Sequence, residues 1–336
     1  MKPPDHAVPR NHWEEPLLND AGRLAEPVDL VDLDTDTPDT APGDRIRLGV
    51  SSRRLGEQEL VRAAGLDVTV VPIGCGDEPW LAAAADPRAA VDALHAAALA
   101  NPQASVTLAQ VLRVTGLDLA AALQLESFAY STLLGGREFA QWLDHRGPRP
   151  LPPPPPHQPV MLQRNGNRLD ITLNRPERRN AYGREVRDAL VEALRLAVLD
   201  DSVTQVVLDG AGPCFSAGGD LDEFGTTPDL ATAHFVRTAG GAARLLHQLA
   251  DRLEARVHGT CVGAGIELPA FAGRVTAAAG TVFRLPEIGM GLIPGAGGTV
   301  SIPRRIGRWR TLYFALSGEL LDAETALRWG LIDDIE

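Results

Sequence analysis

Residues 258–273, HGTCVGAGIELPAFAG, carry the strongest structural signal in the chain. This stretch follows the short run ARVHG, which is typical of a strand, and its glycines lead into a predicted helix near Gly265. The first N–H groups of a helix have no partner within the helix, and the helix dipole favours negative charge there. Glu267 lies in this first turn. It could simply complement the dipole, but the apolar run GIELPAF around it predicts burial and a raised pKa.

Two further glycine-rich stretches follow predicted strands. GAGPCFSAGGDL, residues 210–221, comes after the apolar run TQVVLDG. Its small residues can point backbone N–H groups into a cavity, although an ordinary tight turn is the alternative. FRLPEIGMGLIPGAGGT, residues 283–299, places Glu287 between Pro286 and an apolar loop, where the alternative is a surface acid. The GxGxxG spacing is absent, so no dinucleotide site is predicted.

Composition limits the classes of partner. The chain has 336 residues, 44% hydrophobic content and a net charge of -12. Such a chain can bury a large core, and its acidity makes non-specific nucleic-acid binding unexpected. No apolar run is long enough for a transmembrane helix, and the N-terminus lacks the apolar run of a signal peptide. The three cysteines form no CxxC pair, and no His/Asp cluster indicates a metal. We therefore expect a cytoplasmic protein without a membrane or metal site.

Composition also divides the chain into five parts. Residues 1–44 are rich in Pro and Asp and are predicted to be irregular, although 28–33 could form a strand. The other parts are a small α/β segment (45–100), a helical region (101–148), a proline-rich linker (149–159) and an α/β core (160–336). Five prolines at 152–156 predict a stiff spacer, with a protein-binding motif as the alternative. Short strands that alternate with helices predict the α/β class, with a ligand site at the strand ends.

The motifs of residues 160–336 resemble the core of the enoyl-CoA hydratase/isomerase (crotonase) superfamily. They occur in the family's order and at family-like spacings: NRPERRNA (174–181), GAGPCFSAGGDL (210–221), VHGTCVGAGIEL (257–268), LPEIGMGLIPGAGGT (285–299) and GLID (330–333). The resemblance implies a spiral of ββα units and an acyl-CoA thioester substrate. It also implies a homotrimer or hexamer, and no cofactor beyond the coenzyme A of the substrate.

The resemblance also implies roles for individual residues. The N–H groups of Gly219 and Ala264 would form an oxyanion hole, and Glu267 and Glu287 would be the acid/base pair. Residues near the coenzyme A moiety would be Arg178, Ala181, Ala217, Gly219, Asp220, Leu221, Pro286 and Arg146. Three positions depart from the residues usual in the family, which leaves the pocket shape open: His258, Ala264 and Pro269.

Superfamily members usually continue past GLID with helices that build the trimer and help close the CoA site. Residues 101–148 resemble that lobe in LQLESFAYSTLL and EFAQWLDHR, and 45–100 could be a degenerate crotonase-like half. We therefore predict a permuted or fused arrangement in which the lobe precedes the core. The alternative is a generic helical domain.

The presence of both glutamates favours an enoyl-CoA hydratase, which adds water reversibly to a 2-enoyl-CoA. Water addition builds negative charge on the thioester oxygen, which two fixed N–H donors would stabilise as an enolate. One carboxylate must take a proton from water, and a carboxyl group must deliver one to the α-carbon. The alternatives are an enoyl-CoA isomerase or other enolate-type enzyme, and a non-catalytic acyl-CoA-binding subunit.

Overall fold

Three sheets organise the computed structural model, which describes residues 17–35 and 43–336. The strands are β1 (Val28–Asp32), β2 (Ile46–Val50), β3 (Val68–Pro72), β4 (Leu81–Ala84), β5 (Val160–Asn165), β6 (Arg168–Leu173), β7 (Gln205–Gly210), β8 (Leu253–Val257), β9 (Thr260–Val262), β10 (Arg274–Ala277), β11 (Val282–Arg284), β12 (Leu321–Asp322) and β13 (Asp334–Ile335). The strand orders are β1-β2-β3-β4, β13-β10-β8-β7-β6-β5 and β12-β11-β9.

Helices surround these sheets, and the predicted α/β class is confirmed. They are α1 (Glu57–Gly65), α2 (Pro87–Ala100), α3 (Pro102–Arg113), α4 (Leu119–Leu134), α5 (Arg137–Arg146), α6 (Arg184–Leu199), α7 (Leu230–Gly240), α8 (Ala243–Gln248), α9 (Ala264–Glu267), α10 (Gly298–Ser317) and α11 (Ala323–Trp329). Among the described residues, none of these helices combines the length and the apolar character that a membrane span needs.

The first sheet is entirely parallel and begins earlier than expected. All five residues of β2 are buried, as is usual for a strand covered on both faces. β1 pairs with β2 from Val28 to Asp32. The strand considered for residues 28–33 is therefore present, and the predicted boundary between residues 44 and 45 falls between two paired strands. Asp86 caps α2, since its carboxylate accepts from Ala89 N at 3.1 Å.

The second sheet carries the larger core. β5 and β6 form an antiparallel hairpin, and β6, β7, β8 and β10 follow in parallel. α6 covers this sheet with Val186, Leu190 and Leu194, each 0% exposed. Burial of one such side chain stabilises the fold by about 1.5–3 kcal/mol. The carboxyl ends of the parallel strands meet at one edge of the sheet, where ligand sites form in such folds.

One helix predicted from sequence in the core is wrong, and another is incomplete. The pattern of residues 229–254 predicts a single helix, but the structure has two, because the chain leaves the helix at Gly241, where φ is -82° and ψ is 155°. The helix predicted over 308–317 is present after a kink at Gly307, where φ is +79°, and a further helical stretch runs from Gly298 to that kink. This stretch contains Pro303, and Glu126 accepts a hydrogen bond from Thr299 N in its first turn.

The helical region precedes the core in the chain but packs directly on it. α4 packs against α7, and α3 packs against α10. Buried Asp67 ties the first sheet to both, because it accepts from Arg113 Nε at 2.9 Å and from Arg308 Nη1 at 3.2 Å. Gly135 and Gly136 separate α4 from α5.

Candidate active site

Three loops meet at the carboxyl ends of the parallel strands. The loop after β7 joins the segment after β8 through a hydrogen bond from Val262 N to Ser216 O, at 3.1 Å. Gly263 N donates to Arg284 O at 2.9 Å, which brings in the segment after β11. The three motifs that the sequence singled out therefore form one site.

Two glycines allow this close approach. Gly263 has φ +49°, a conformation that other residues rarely adopt. A Cβ there would overlap Oε1 of Glu287 and would lie 3.7 Å from Oε1 of Glu267. A Cβ at Gly265 would overlap the carbonyl oxygen of Ser216. The two predicted acid/base carboxyls thus face the same point, beside the Cα of Gly263.

Glu267 is held firmly at the end of α9. The residue is 2% exposed, and its Oε2 accepts from Ala296 N at 2.7 Å and from Gly298 N at 2.9 Å. Burial raises the pKa of Glu267 well above its usual range, and the neighbouring Glu287 raises it further. The two N–H groups act in the opposite sense, because they stabilise the carboxylate form.

Glu287 opens a short 3₁₀ turn, Glu287–Met290. Its Oε2 is buried and has no hydrogen-bond partner in the part of the chain that the structure describes. Burial raises the pKa of Glu287 to about 8. Two carboxyls that face one point are costly to ionise together, so the pair retains a proton near neutral pH.

The predicted oxyanion donors have no internal acceptor. Within residues 17–35 and 43–336, neither Gly219 N nor Ala264 N donates a hydrogen bond. Both residues line the same cavity as Glu267 and Glu287. Ala264 is buried and Gly219 is partly buried, and both N–H groups are available to a ligand oxygen.

The cavity holds about 580 Å³, the size of a small-molecule site. The helical region supplies part of its wall, with Leu123, Ser127 and Tyr130 of α4. Leu151 and Pro152 of the proline-rich linker also line it. Segments that precede the core in sequence therefore close the site.

Glu126 on α4 is a third buried acid, and it was not among the residues predicted from sequence. Its Oε1 accepts from Gly297 N at 2.8 Å, and its Oε2 accepts from Thr299 N at 2.9 Å and from Thr299 Oγ1 at 2.7 Å. Burial raises the pKa of Glu126 to about 7. Four consecutive N–H groups, residues 296–299, thus alternate between Glu267 and Glu126. The signal was present in LQLESFAY, an acid within an apolar run like that around Glu267.

The predicted CoA-binding arginines converge, but on acids of the protein. Arg178 forms a two-point ion pair with Asp220, at 3.0 and 2.6 Å, and also reaches Asp222 at 2.8 Å. Arg146 of α5 reaches the other oxygen of Asp222, at 2.8 Å. The cluster therefore brings the end of the helical region to the start of the core, while Asp220 holds Arg178.

The cavity takes in only part of the predicted set. Gly219, Asp220, Ala264, Glu267 and Glu287 line it. The other predicted residues do not line this cavity: Arg146, Arg178, Ala181, Ala217, Leu221 and Pro286. Arg237 of α7 lines it and was not predicted. A single arginine in the helix ATAHFVRTAG gives no sequence signal that it lines a cavity.

Paired buried carboxyls beside free backbone donors define a site suited to moving protons next to an oxyanion. The chain belongs to the enoyl-CoA hydratase/isomerase family, whose model matches residues 163–336. The expected membership of the crotonase superfamily is confirmed, and with it the fold class. The likeness of residues 101–148 to the family's helical lobe lies outside that match and stays a prediction.

Individual relatives of known sequence are CoA-thioester hydratases and isomerases by name. The chain is 36% identical over 176 residues to the 2,3-dehydroadipyl-CoA hydratase of Escherichia coli, covering 52% of this chain and 68% of that protein. It is 38% identical over 169 residues to the 1,2-epoxyphenylacetyl-CoA isomerase of the same organism, covering 49% of this chain and 64% of that protein. The match thus spans about two thirds of each relative.

Solved structures agree in fold. An enoyl-CoA hydratase from Mycobacterium smegmatis superposes with a TM-score of 0.50 and 30% identity, over 53% of this chain and 70% of that one. DspI from Pseudomonas aeruginosa also gives a TM-score of 0.50, with 30% identity over 54% of this chain and 69% of that one.

Proposed function

We propose that this protein is an enoyl-CoA hydratase, which adds water reversibly across the double bond of a 2-enoyl-CoA thioester. One observation carries the proposal: the carboxyls of Glu267 and Glu287 face one point beside Gly263, in a cavity that also presents the free N–H groups of Gly219 and Ala264. Hydration needs a base, an acid and an oxyanion site together, and this arrangement supplies all three.

The thioester oxygen would accept from Gly219 N and Ala264 N. Negative charge grows on that oxygen as water attacks the β-carbon, so the donors bind the transition state more tightly than the substrate. The loss of one such donor costs about 3–4 kcal/mol in acyl-transfer enzymes. Coenzyme A enters as part of the substrate, and no step requires a further cofactor.

The environments of the glutamates suggest their roles. Burial raises both pKa values, so the pair shares a proton; the two N–H groups favour placing the negative charge on Glu267, which would then take the proton from the attacking water. Glu287 has no such donors on Oε2 and a pKa near 8, so it would deliver its proton to the α-carbon. The proton taken from water then resides on Glu267 and returns to Glu287 through exchange in the cavity.

A spectrophotometric assay tests the proposal. A panel of 2-enoyl-CoA esters is incubated with the full chain, and the loss of the conjugated double bond is followed while the product is identified by mass. We expect a 3-hydroxyacyl-CoA product that carries one oxygen from water. Absence of turnover with every ester, despite measurable binding, would favour the non-catalytic acyl-CoA-binding subunit instead.

The second candidate is an enoyl-CoA isomerase. The observation that favours it is the unpartnered carboxyl oxygen of Glu287, which could carry one proton between the α- and γ-carbons without help from Glu267. A 3-enoyl-CoA substrate separates the two functions. An isomerase converts it to the 2-enoyl ester without oxygen from water, and Glu267→Gln would spare that activity.

We also propose that the chain assembles as a homotrimer or hexamer. Phe128 of α4 and Phe235 of α7 are 58% and 65% exposed, and both rings lie against His234, at 4.1 and 5.2 Å between ring centres. Apolar side chains grouped on a surface are typical of subunit contacts. Light scattering coupled to size exclusion tests this, and a monomer at micromolar concentration would contradict it.

A further inference from the structure

Arg237 lines the cavity where α7 packs against α4. Its Nε donates to Ser127 Oγ at 3.1 Å, and its Nη2 donates to Ser127 O at 3.2 Å and to Ser131 Oγ. The guanidinium carbon lies 4.6 Å from the centre of the Tyr130 ring. These contacts fix the guanidinium plane against α4, so its orientation is set before any ligand arrives.

This cation lacks a counter-ion in direct contact. Among the described residues, Arg237 forms no ion pair, and its Nη1 has no hydrogen-bond acceptor. Glu126 lies on the same helix as Ser127, but its oxygens accept from Gly297, from Thr299 and not from Arg237. Arginine stays charged, and a half-buried charge usually has a partner. The unpaired Nη1 of the guanidinium is therefore expected to bind an anionic group of the ligand.

Arg237 lines the same cavity as the acid/base pair. The Tyr130 ring packs against Gly295 so tightly that a Cβ there would overlap the ring. The next residue, Ala296, donates to Glu267. The Tyr130 ring therefore connects the guanidinium to the turn that holds Glu267. Residues of α4 and α7 line the same cavity as the predicted oxyanion donors, so an acyl chain held at those donors can extend toward Arg237.

We propose that Arg237 binds a carboxylate at the far end of the acyl chain, and that the preferred substrates are CoA thioesters of short dicarboxylic acids. The inference rests on the proposed function only for the direction of the acyl chain. A guanidinium with free N–H groups on one nitrogen matches a carboxylate in charge and geometry. Hydrogen bonds to charged groups contribute enough for a preference of about 10- to 100-fold.

Equilibrium binding tests the proposal without turnover. The probes are adipyl-CoA and hexanoyl-CoA, which are saturated and differ only at the chain end. Calorimetry on the full chain should show adipyl-CoA bound at least about tenfold more tightly. Arg237→Met should remove this preference, while Arg237→Lys, which keeps the charge, should retain part of it. Arg244→Met is the matched control, because Arg244 is exposed on α8 and outside the cavity.

Kinetics extends the test to the reaction. For the unsaturated counterparts of the two esters, Arg237→Met should lower the ratio of kcat/KM for the carboxylate ester to kcat/KM for hexenoyl-CoA by about 10- to 100-fold. Equal affinity of the wild-type protein for both probes, or a preference that survives in Arg237→Met, would overturn the proposal. An intact preference in binding without any turnover would overturn the proposed hydratase activity and leave this inference standing.

Discussion

Replacing Glu287 by glutamine should abolish activity and stabilise the fold in a pH-dependent way. Glutamine has the same shape as glutamic acid but cannot ionise. Hydration should fall by about 10²–10⁴-fold, because the predicted proton donor is lost. The stability effect arises because the folded protein keeps Glu287 neutral to about pH 8, whereas a free glutamate ionises near pH 4.5.

The sign and size follow from proton linkage. A carboxyl with a raised pKa in the folded state contributes stability that is fully present below the unfolded pKa and lost as pH rises through the folded pKa. The window here runs from 4.5 to about 8. Each pH unit within it costs the wild-type protein about 1.4 kcal/mol relative to a neutral side chain. Between about pH 5 and pH 7 the difference in stability between the wild-type protein and Glu287→Gln should grow by roughly 3 kcal/mol. Water in the cavity would stabilise the carboxylate and reduce this change to about 2 kcal/mol.

Urea unfolding of both proteins at about pH 5 and pH 7 provides the measurement. The quantity of interest is the change with pH in the stability difference between them, because any fixed cost of burying the amide cancels. Glu319→Gln, at an exposed site, should show no such change. If the unfolding free energies of the wild-type protein and Glu287→Gln changed with pH in parallel, the prediction would be wrong, because Glu287 would then ionise normally in the folded protein.

Three further substitutions test other parts of the structure. Gly263→Ala should lower kcat by about 100-fold, because the added Cβ displaces the Glu287 carboxyl, and steady-state kinetics would measure it. Glu126→Ala should lower the free energy of unfolding by about 2–3 kcal/mol in urea, since it leaves buried N–H groups at the start of α10 unpaired. Asp67→Asn should lower the unfolding free energy by about 3–5 kcal/mol, because Arg113 and Arg308 lose their shared acid.

Two matched controls sharpen these tests. Gly280 has φ +78° and no atom within 4 Å of an added Cβ, so Gly280→Ala measures backbone strain without a clash. If it impaired kcat as strongly as Gly263→Ala, the contact with Glu287 would not be the cause. Asp201→Asn, at an exposed site, should change stability by less than about 0.5 kcal/mol. For Glu126→Ala, unchanged stability would mean that other groups cap α10.

Local features were predictable from sequence. Asp86 followed by Pro87 marks the start of α2, and the turn at Gly166 marks the hairpin of β5 and β6, because these signals act within a few residues. The order of the glycine-rich motifs placed Glu267 and Glu287 in one site. The close approach of the two carboxyls depends on Gly263. The sequence shows that this residue is a glycine, but it does not show the backbone conformation that the residue adopts.

Contacts between distant segments escaped prediction. The start of α10 at Gly298 depends on Glu126, which lies 171 residues before Gly297. Without that acid, a glycine cluster followed by Pro303 indicates a loop, which explains why the helix was expected to begin later. The position of Arg237 depends in the same way on Ser127, 110 residues away. No local pattern contains either pairing.

The alternation of N–H groups between Glu126 and Glu267 has a mechanical consequence. Ala296 and Gly298 donate to Glu267, while the residues between and after them donate to Glu126 of α4. A peptide that turns toward one acid fixes its neighbour toward the other, so α4 cannot shift without disturbing the donors of Glu267. Ser127 and Tyr130 of α4 contact Arg237, so a ligand group that binds Arg237 would also affect the position of this helix. The part of the cavity next to Arg237 is thus linked to Glu267 through one turn of backbone.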